Sequence, residues 1–174
     1  QPDLAIEELK KAISLDTEAI EIHMILGNLY REKGQVGRAI HMHQKLLQKP
    51  NLNTIEHAYV LLCLGLDFKR GGFLDRALET FDEVLRLDSN NRYALLNLEK
   101  LYEEQHQWEL AHNAREKAMA LDNNDSHENK PILAFLKNEL GLVAQQQQNR
   151  VEAKHYFETA IELSEQTVPA YLHL

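Results

Sequence analysis

One cysteine, four prolines and seven glycines in 174 residues exclude several architectures from the start. A single thiol, Cys63, cannot form an internal disulfide and has no companions for a zinc knuckle, so a cysteine-stapled scaffold is ruled out and a reducing compartment is compatible. Its plain reading is a small apolar side chain in a buried helix. With little Gly or Pro to interrupt it, the chain is filled by Leu, Ala, Glu, Lys and Gln. These residues lose little rotamer freedom in a helix, and the composition is that of an all-α protein. Long hydrophobic runs are missing too: Tyr59 to Leu66 is among the longest, far short of the ~20 residues that span a bilayer. The chain is therefore expected not to insert into a membrane directly. Positive charge is also in deficit. The net charge is −8, with no Lys/Arg stripe interleaved with aromatics, so nucleic acid is not an expected partner.

Catalytic and metal chemistry find little to build on. Nine histidines are scattered. His41 and His43 stand two apart on a helix and point to different faces, and no His-Glu-x-x-His spacing is present. Gly71-Gly72 is too short for a phosphate loop. The acidic pairs Glu7-Glu8 and Glu103-Glu104 are adjacent on helices, where they read as solvated charge. No strained turn or oxyanion loop accompanies Cys63. The expectation is no catalytic residue, no metal ligand and no cofactor in this stretch of chain.

What is present is a repeat. Leu26-Gly27-x-x-Tyr30 is followed nine residues after the tyrosine by Ala39, and Leu64-Gly65-x-x-Phe68 is followed nine later by Ala77. A third copy reads Leu98-Glu99-x-x-Tyr102 with Ala111, a fourth Leu140-Gly141-x-x-Ala144 with Ala153, and Ala5 opens the chain as the second half of a copy. The alanines lie 34, 38, 34 and 42 residues apart. Close packing of two antiparallel helices explains the residue types: a small residue on the first helix lets the second approach, and the alanine supplies the matching flat surface. Ala5, Gly27, Tyr30, Ala39, Gly65, Phe68, Ala77, Tyr102, Ala111, Gly141 and Ala153 are the predicted packing positions.

Boundary signals predict helices over 3–15, 17–33, 36–48, 54–70, 74–87, 91–105, 108–121, 128–147, 150–165 and from 168 onward. Gly34 and Gly71 or Gly72 suit the left-handed position that ends a helix. Asp16-Thr17, Asp88 to Asn91 and Asp122 to Ser126 supply short polar caps. The intervals of 38 and 42 predict a lengthened first helix after Pro50 to Asn53 and after Asn123 to Pro131. A four-helix bundle made of the same hairpins would need one seam shared by all helices, whereas here each signature recurs locally.

The 34-residue period and its small-residue signature resemble the tetratricopeptide repeat. The resemblance implies a right-handed superhelical solenoid of antiparallel helix pairs in one domain spanning 1–174. Residues 1–16 are then the second helix of a partial repeat, with full repeats at 17–53, 54–90, 91–126 and 127–167 and a further helix starting at 168–174. It also implies that the first helices line a concave groove that binds a protein or peptide. Mapped onto this chain, the groove shows Met24, Asn28 and Arg31, then Tyr59, Leu62, Leu66, Lys69 and Arg70, then Tyr93, Leu96, Lys100 and Glu103. In one reading the apolar members bury a peptide's side chains while Arg31, Lys69, Arg70 and Lys100 meet acidic groups. In the other the leucines only pack between helices and the charges are solvated. Met24 and Cys63 stand where a carboxylate clamp would have Lys and Asn, which argues against clamping of that kind.

The run Leu26 to Gln44, the stretch Gly72-Phe73-Leu74-Asp75-Arg76-Ala77 and Trp108-Glu109-Leu110-Ala111 are further similar to the bacterial lipopolysaccharide assembly protein B (LapB, or YciM) family, over roughly residues 3 to 165. That resemblance implies an adaptor on the cytoplasmic face of the inner membrane, held by an N-terminal anchor, that restrains lipopolysaccharide synthesis by bringing the deacetylase LpxC to the protease FtsH. The family's four-cysteine metal knuckle has no counterpart here. The sequence begins at Gln1 and stops at Leu174 within an apolar helical pattern, and reads as a fragment of a longer protein. Self-association through Gln1 to Leu15 or Val168 to Leu174, as a structural subunit, is the alternative to partner binding.

Overall fold

The computed structural model describes residues 2–15, 20–121 and 129–163. These form α1 (Pro2–Leu15), α2 (Ile20–Glu32), α3 (Val36–Leu47), α4 (Thr54–Arg70), α5 (Leu74–Leu87), α6 (Arg92–Glu104), α7 (Trp108–Leu121), α8 (Asn129–Gln146) and α9 (Arg150–Leu163). No strand occurs among the described residues, and the fold is all-α. The expected helix from residue 168 and the caps at 16–17 and 122–126 lie outside the described residues. Both lengthened first helices are present: α4 has 17 residues and α8 has 18, against 13 in α6.

Each hairpin turn is built in the same way. The second residue after the first helix takes a left-handed conformation at Gly34 (φ 73°), Gly72 (φ 76°), His106 (φ 57°) and Gln148 (φ 62°). The next amide then bonds back to the carbonyl of Tyr30, Phe68, Tyr102 or Ala144 at 2.8–2.9 Å. This closure satisfies carbonyls that a helix end leaves bare. The carbonyl of the residue bearing that amide, which immediately precedes the second helix, accepts from the amide of Ala39, Ala77, Ala111 or Ala153. Between hairpins, Asn53 and Glu56 form a reciprocal capping box at α4, and Asn91 accepts from the amide of Ala94 at α6.

The chain divides into two compact units, residues 1–94 and 95–174. In the first, α1 packs on α2, α2 on α3, α3 on α4 and α4 on α5, and α2 also meets α4. Ile6, Leu26, Tyr30 and Ala39 form one apolar centre there, with Leu9, Ile13, Leu29 and Met42 against it. In the second, α7 packs on α8 and α8 on α9, around Ala144, Ala153 and Phe157.

The seam between paired helices differs from the expected glycine-on-alanine contact. Ala39, Ala77 and Ala111 are fully buried and Ala153 nearly so, yet each glycine faces a ring one helical turn beyond its alanine. A Cβ on Gly27 would lie 2.5 Å from the His43 imidazole, one on Gly65 would lie 2.7 Å from the Phe81 ring, and one on Gly141 would collide with Phe157. The glycines make room for a flat side chain lying on bare backbone, and the alanine flanks it. In the third hairpin the same two positions hold Glu99 and Arg115, joined by a hydrogen bond of 3.1 Å. Ala5 departs from the pattern as well: it is exposed.

Candidate functional site

On α2, Met24, Asn28 and Arg31 follow at intervals of four and three and share one face. On α4, Tyr59, Cys63 and Asp67 follow at intervals of four and likewise share a face, and α2 and α4 are neighbours. The centre of this arrangement is Asp67, which is fully buried. Its Oδ1 accepts from Arg31 Nη1 at 2.9 Å and its Oδ2 from His43 Nδ1 at 2.5 Å. Arg31 Nη1 also reaches the Cys63 carbonyl oxygen at 3.4 Å. A lone carboxylate would be costly here, and the two donors from the preceding hairpin are what make its burial tolerable. His43, with Nδ1 committed to Asp67, presents Nε2 to the Gly27 backbone, where it has no hydrogen-bond partner.

Around this network the side chains are unequally available. Burial pushes the Cys63 thiol pKa up, opposed by Arg31 and reinforced by Asp67, so a reactive thiolate is disfavoured. Tyr59 is 48% exposed. Its hydroxyl pKa is raised by the neighbouring Cys63 first and by burial second. Met24, Asn28, Leu66 and Lys69 are partly buried, and Arg70 and Tyr93 are exposed.

Two groove positions are less available than the partner-binding reading asks. Leu62 is buried and acts as packing, since α4 has neighbours on several sides. Arg31 is not an unpaired cation awaiting an acidic group, because Asp67 already neutralises it. In the second unit Lys100 is likewise paired, with Glu103 at 2.9 Å and Glu99 at 3.8 Å, and Leu96 is partly buried.

Sequence reasoning missed two clefts. In the first unit, Ile55, Ala58, Tyr59, Leu87 and Asp88 border a cleft of about 200 Å³. Ile55 is 82% exposed and Leu87 41%, so the cleft carries an apolar rim and ends at the same tyrosine that caps the polar network. Ile55 sits in the first turn of α4, the end lengthened by the long interval, and that added turn was the available signal. In the second unit, Trp108, Leu110, Leu140 and Val143 line a more open cleft of about 260 Å³. The Trp108 indole stands edge-on to Phe135 at 5.9 Å and 87°.

Among the described residues, no three His, Cys, Asp or Glu side chains gather in a way that could hold a metal ion. No helix among them is long and apolar enough to cross a membrane. What the first unit offers chemically is a half-exposed phenol and an apolar rim above a neutralised, buried hydrogen-bond network.

A tetratricopeptide-repeat family model matches residues 136–167. Lipopolysaccharide assembly protein B of Escherichia coli (strain K12) is 31% identical over 121 residues, which cover 70% of this chain and 31% of that protein. The protein of the same name from Haemophilus influenzae is 31% identical over 111 residues, covering 64% of this chain and 28% of the relative. The match thus spans about a third of the length of these relatives. Among solved structures, MamA superposes with a TM-score of 0.66 at 23% identity, covering 96% of this chain and 91% of that one. YrrB, described as a tetratricopeptide-repeat protein with an unusual peptide-binding site, superposes with a TM-score of 0.65 at 19% identity, covering 98% and 82%. Likeness at this identity speaks for the fold.

Proposed function

The chain is a tetratricopeptide-repeat protein related in sequence to lipopolysaccharide assembly protein B, and on that premise we propose that it is an adaptor which holds a protein partner in the control of lipopolysaccharide synthesis. The observation that carries the binding role is the Ile55–Tyr59–Leu87 cleft beside the Asp67 network. Exposed aromatic and aliphatic side chains beside a rigid, hydrogen-bonded base are the kind of anchor point on which protein interfaces concentrate their affinity. Asp67 and its two donors hold α2, α3 and α4 in fixed relation, so the face is organised before a partner arrives and less ordering entropy is lost on binding.

The more specific reading is that the partner is the deacetylase LpxC and that binding delivers it to the protease FtsH at the cytoplasmic side of the inner membrane, with the anchor supplied by chain beyond these residues. Identity to the lipopolysaccharide assembly proteins supports this reading. So does the neutral character of the Arg31 site, which suits a folded protein surface better than a free acidic terminus. Binding of purified LpxC to the immobilised chain, measured by interferometry, is the test, with Tyr59→Ala as the paired variant. Binding by the wild type, weakened about tenfold or more by Tyr59→Ala, is expected for loss of an aromatic anchor. No binding by either protein would remove the lipopolysaccharide reading. Equal binding by both would move the contact away from this cleft.

A further inference from the structure

Four features converge on the α6–α7 hairpin, and none of them belongs to the binding surface. The seam position that elsewhere pairs a glycine with a ring holds the Glu99–Arg115 ion pair, flanked by Arg115 Nη2 donating to Asn129 Oδ1 at 2.9 Å and by the half-exposed Lys100 ammonium 3.8 Å from Glu99. Three buried polar atoms of the hairpin, Glu99 Oε1, His112 Nε2 and Arg115 Nε, have no hydrogen-bond partner, although Lys100 Nζ lies 3.8 Å from Glu99 Oε1 and Glu116 Oε1 lies 3.5 Å from His112 Nε2. The buried residues of α7 are Ala111, His112, Ala114, Arg115 and Ala118, while its larger apolar side chains, Trp108, Leu110, Met119 and Leu121, are all at least partly exposed. By contrast α5 buries Phe81 and Val84 completely, and α9 buries Phe157. Finally, the left-handed residue of the turn is His106, where the α2–α3 and α4–α5 turns have glycine and the α8–α9 turn has Gln148, and its Cβ is disfavoured in this conformation.

Local stability follows buried apolar contact and satisfied polar groups, and a segment poor in both opens before the rest of its unit. We propose that α7 is a built-in opening point of the second unit, detaching from α6 and α8 in a local transition that leaves the α8–α9 hairpin folded. The α8–α9 pair keeps its own seam, since Gly141 and Phe157 close on each other without α7. Opening returns Arg115 and Glu99 to water, where both charges are solvated, so the open form loses little that the closed form had gained from the pair. A repeat domain with such a segment can yield at one place without unravelling its neighbours.

Native-state hydrogen exchange of the full chain, read by mass spectrometry through low denaturant concentrations, tests this directly. Amides of Trp108–Leu121 should be protected at least about tenfold less than those of α5 and α9, and should merge with them only near global unfolding. The double variant Glu99→Gly/Arg115→Phe, which installs the glycine–ring pair of the other hairpins, should raise α7 protection by about tenfold or more while leaving α9 unchanged. The wild-type profile needs no variant: α7 as protected as α5 and α9 overturns the proposal. A folded double variant with unaltered α7 exchange, or one that circular dichroism finds unfolded, overturns the assignment of the weakness to the seam.

Discussion

The α4–α5 and α6–α7 hairpins share a turn, a fully buried alanine and a first helix ending in the same backbone closure, yet they are held together by different chemistry. In α4–α5 the bare backbone of Gly65 receives the Phe81 ring, an apolar contact that gains roughly 1.5–3 kcal/mol from burial of the ring and asks for no partner. In α6–α7 a carboxylate and a guanidinium occupy those two places, and each depends on the other to offset its desolvation. The backbone plan of the repeat therefore tolerates a complete exchange of seam chemistry, provided both halves change together. Stability is then distributed unevenly over elements that look alike in outline.

The largest way to break the comparison is to remove one half of the charged pair. Arg115→Ala leaves Glu99 buried without its cation and should cost about 3–5 kcal/mol in urea unfolding; a loss below about 1 kcal/mol would mean that Glu99 reaches water. Next comes the apolar seam: Gly65→Val forces a side chain into the Phe81 ring and should cost about 1–3 kcal/mol by overpacking, whereas an unchanged melting temperature would refute the ring-on-glycine contact. Ala77→Leu, at a fully buried site, should fall in the same range.

The turns sharpen the contrast on a smaller scale. Replacing Gly72 with Ala should cost about 1–2 kcal/mol for the left-handed conformation, and His106→Gly should recover a similar or slightly smaller amount. If thermal melts moved in the same direction for both, the turn geometry would not be the cause. The smallest effect concerns pH. Burial raises the Glu99 carboxyl pKa above its ordinary 4.5, with Arg115 opposing. A raised carboxyl holds its proton more tightly in the folded chain, so its contribution to stability is full below pH 4.5 and is lost as pH rises through the folded value. Relative to Glu99→Gln, the wild type should therefore lose stability between pH 4.5 and neutrality, by urea midpoints. Taking the difference between the two proteins cancels the opposite contribution of His112, whose burial pushes its pKa down. A difference that is flat with pH would contradict the burial of Glu99.

Much of this was legible in the sequence, for a physical reason. Helix ends and turn positions are local properties, and Gly34, Gly72, Asn53 and Asn91 announce them through backbone conformation and capping alone. The recurring alanine was equally visible, because a fully buried Cβ at a helix crossing permits little else. The ring partner was misassigned to the alanine, although His43, Phe81, Arg115 and Phe157 each stand four residues beyond their alanines and form a column that the spacing could have revealed. Reading that column would also have exposed the Glu99–Arg115 exchange. The Asp67 network could not be read in this way. Asp67 draws its donors from two helices 24 and 36 residues earlier in the chain, and no local pattern ties an acidic residue in α4 to an arginine and a histidine that each look like surface residues. The groove positions inherited by resemblance differ in availability for the same reason: register predicts which side of a helix a residue occupies, but not whether Leu62 is covered or whether Arg31 already has a counter-charge.

The sealed position of Cys63 on α4 has a practical corollary. The residue is 3% exposed and burial holds its thiol toward the protonated form, so alkylating and disulfide-exchange reagents should find no target while α4 stays docked. As the sole sulfhydryl in the chain, it turns the wild-type protein into its own clock: the rate at which a maleimide attaches measures how often the first unit comes apart, with no engineered label and no signal from the second.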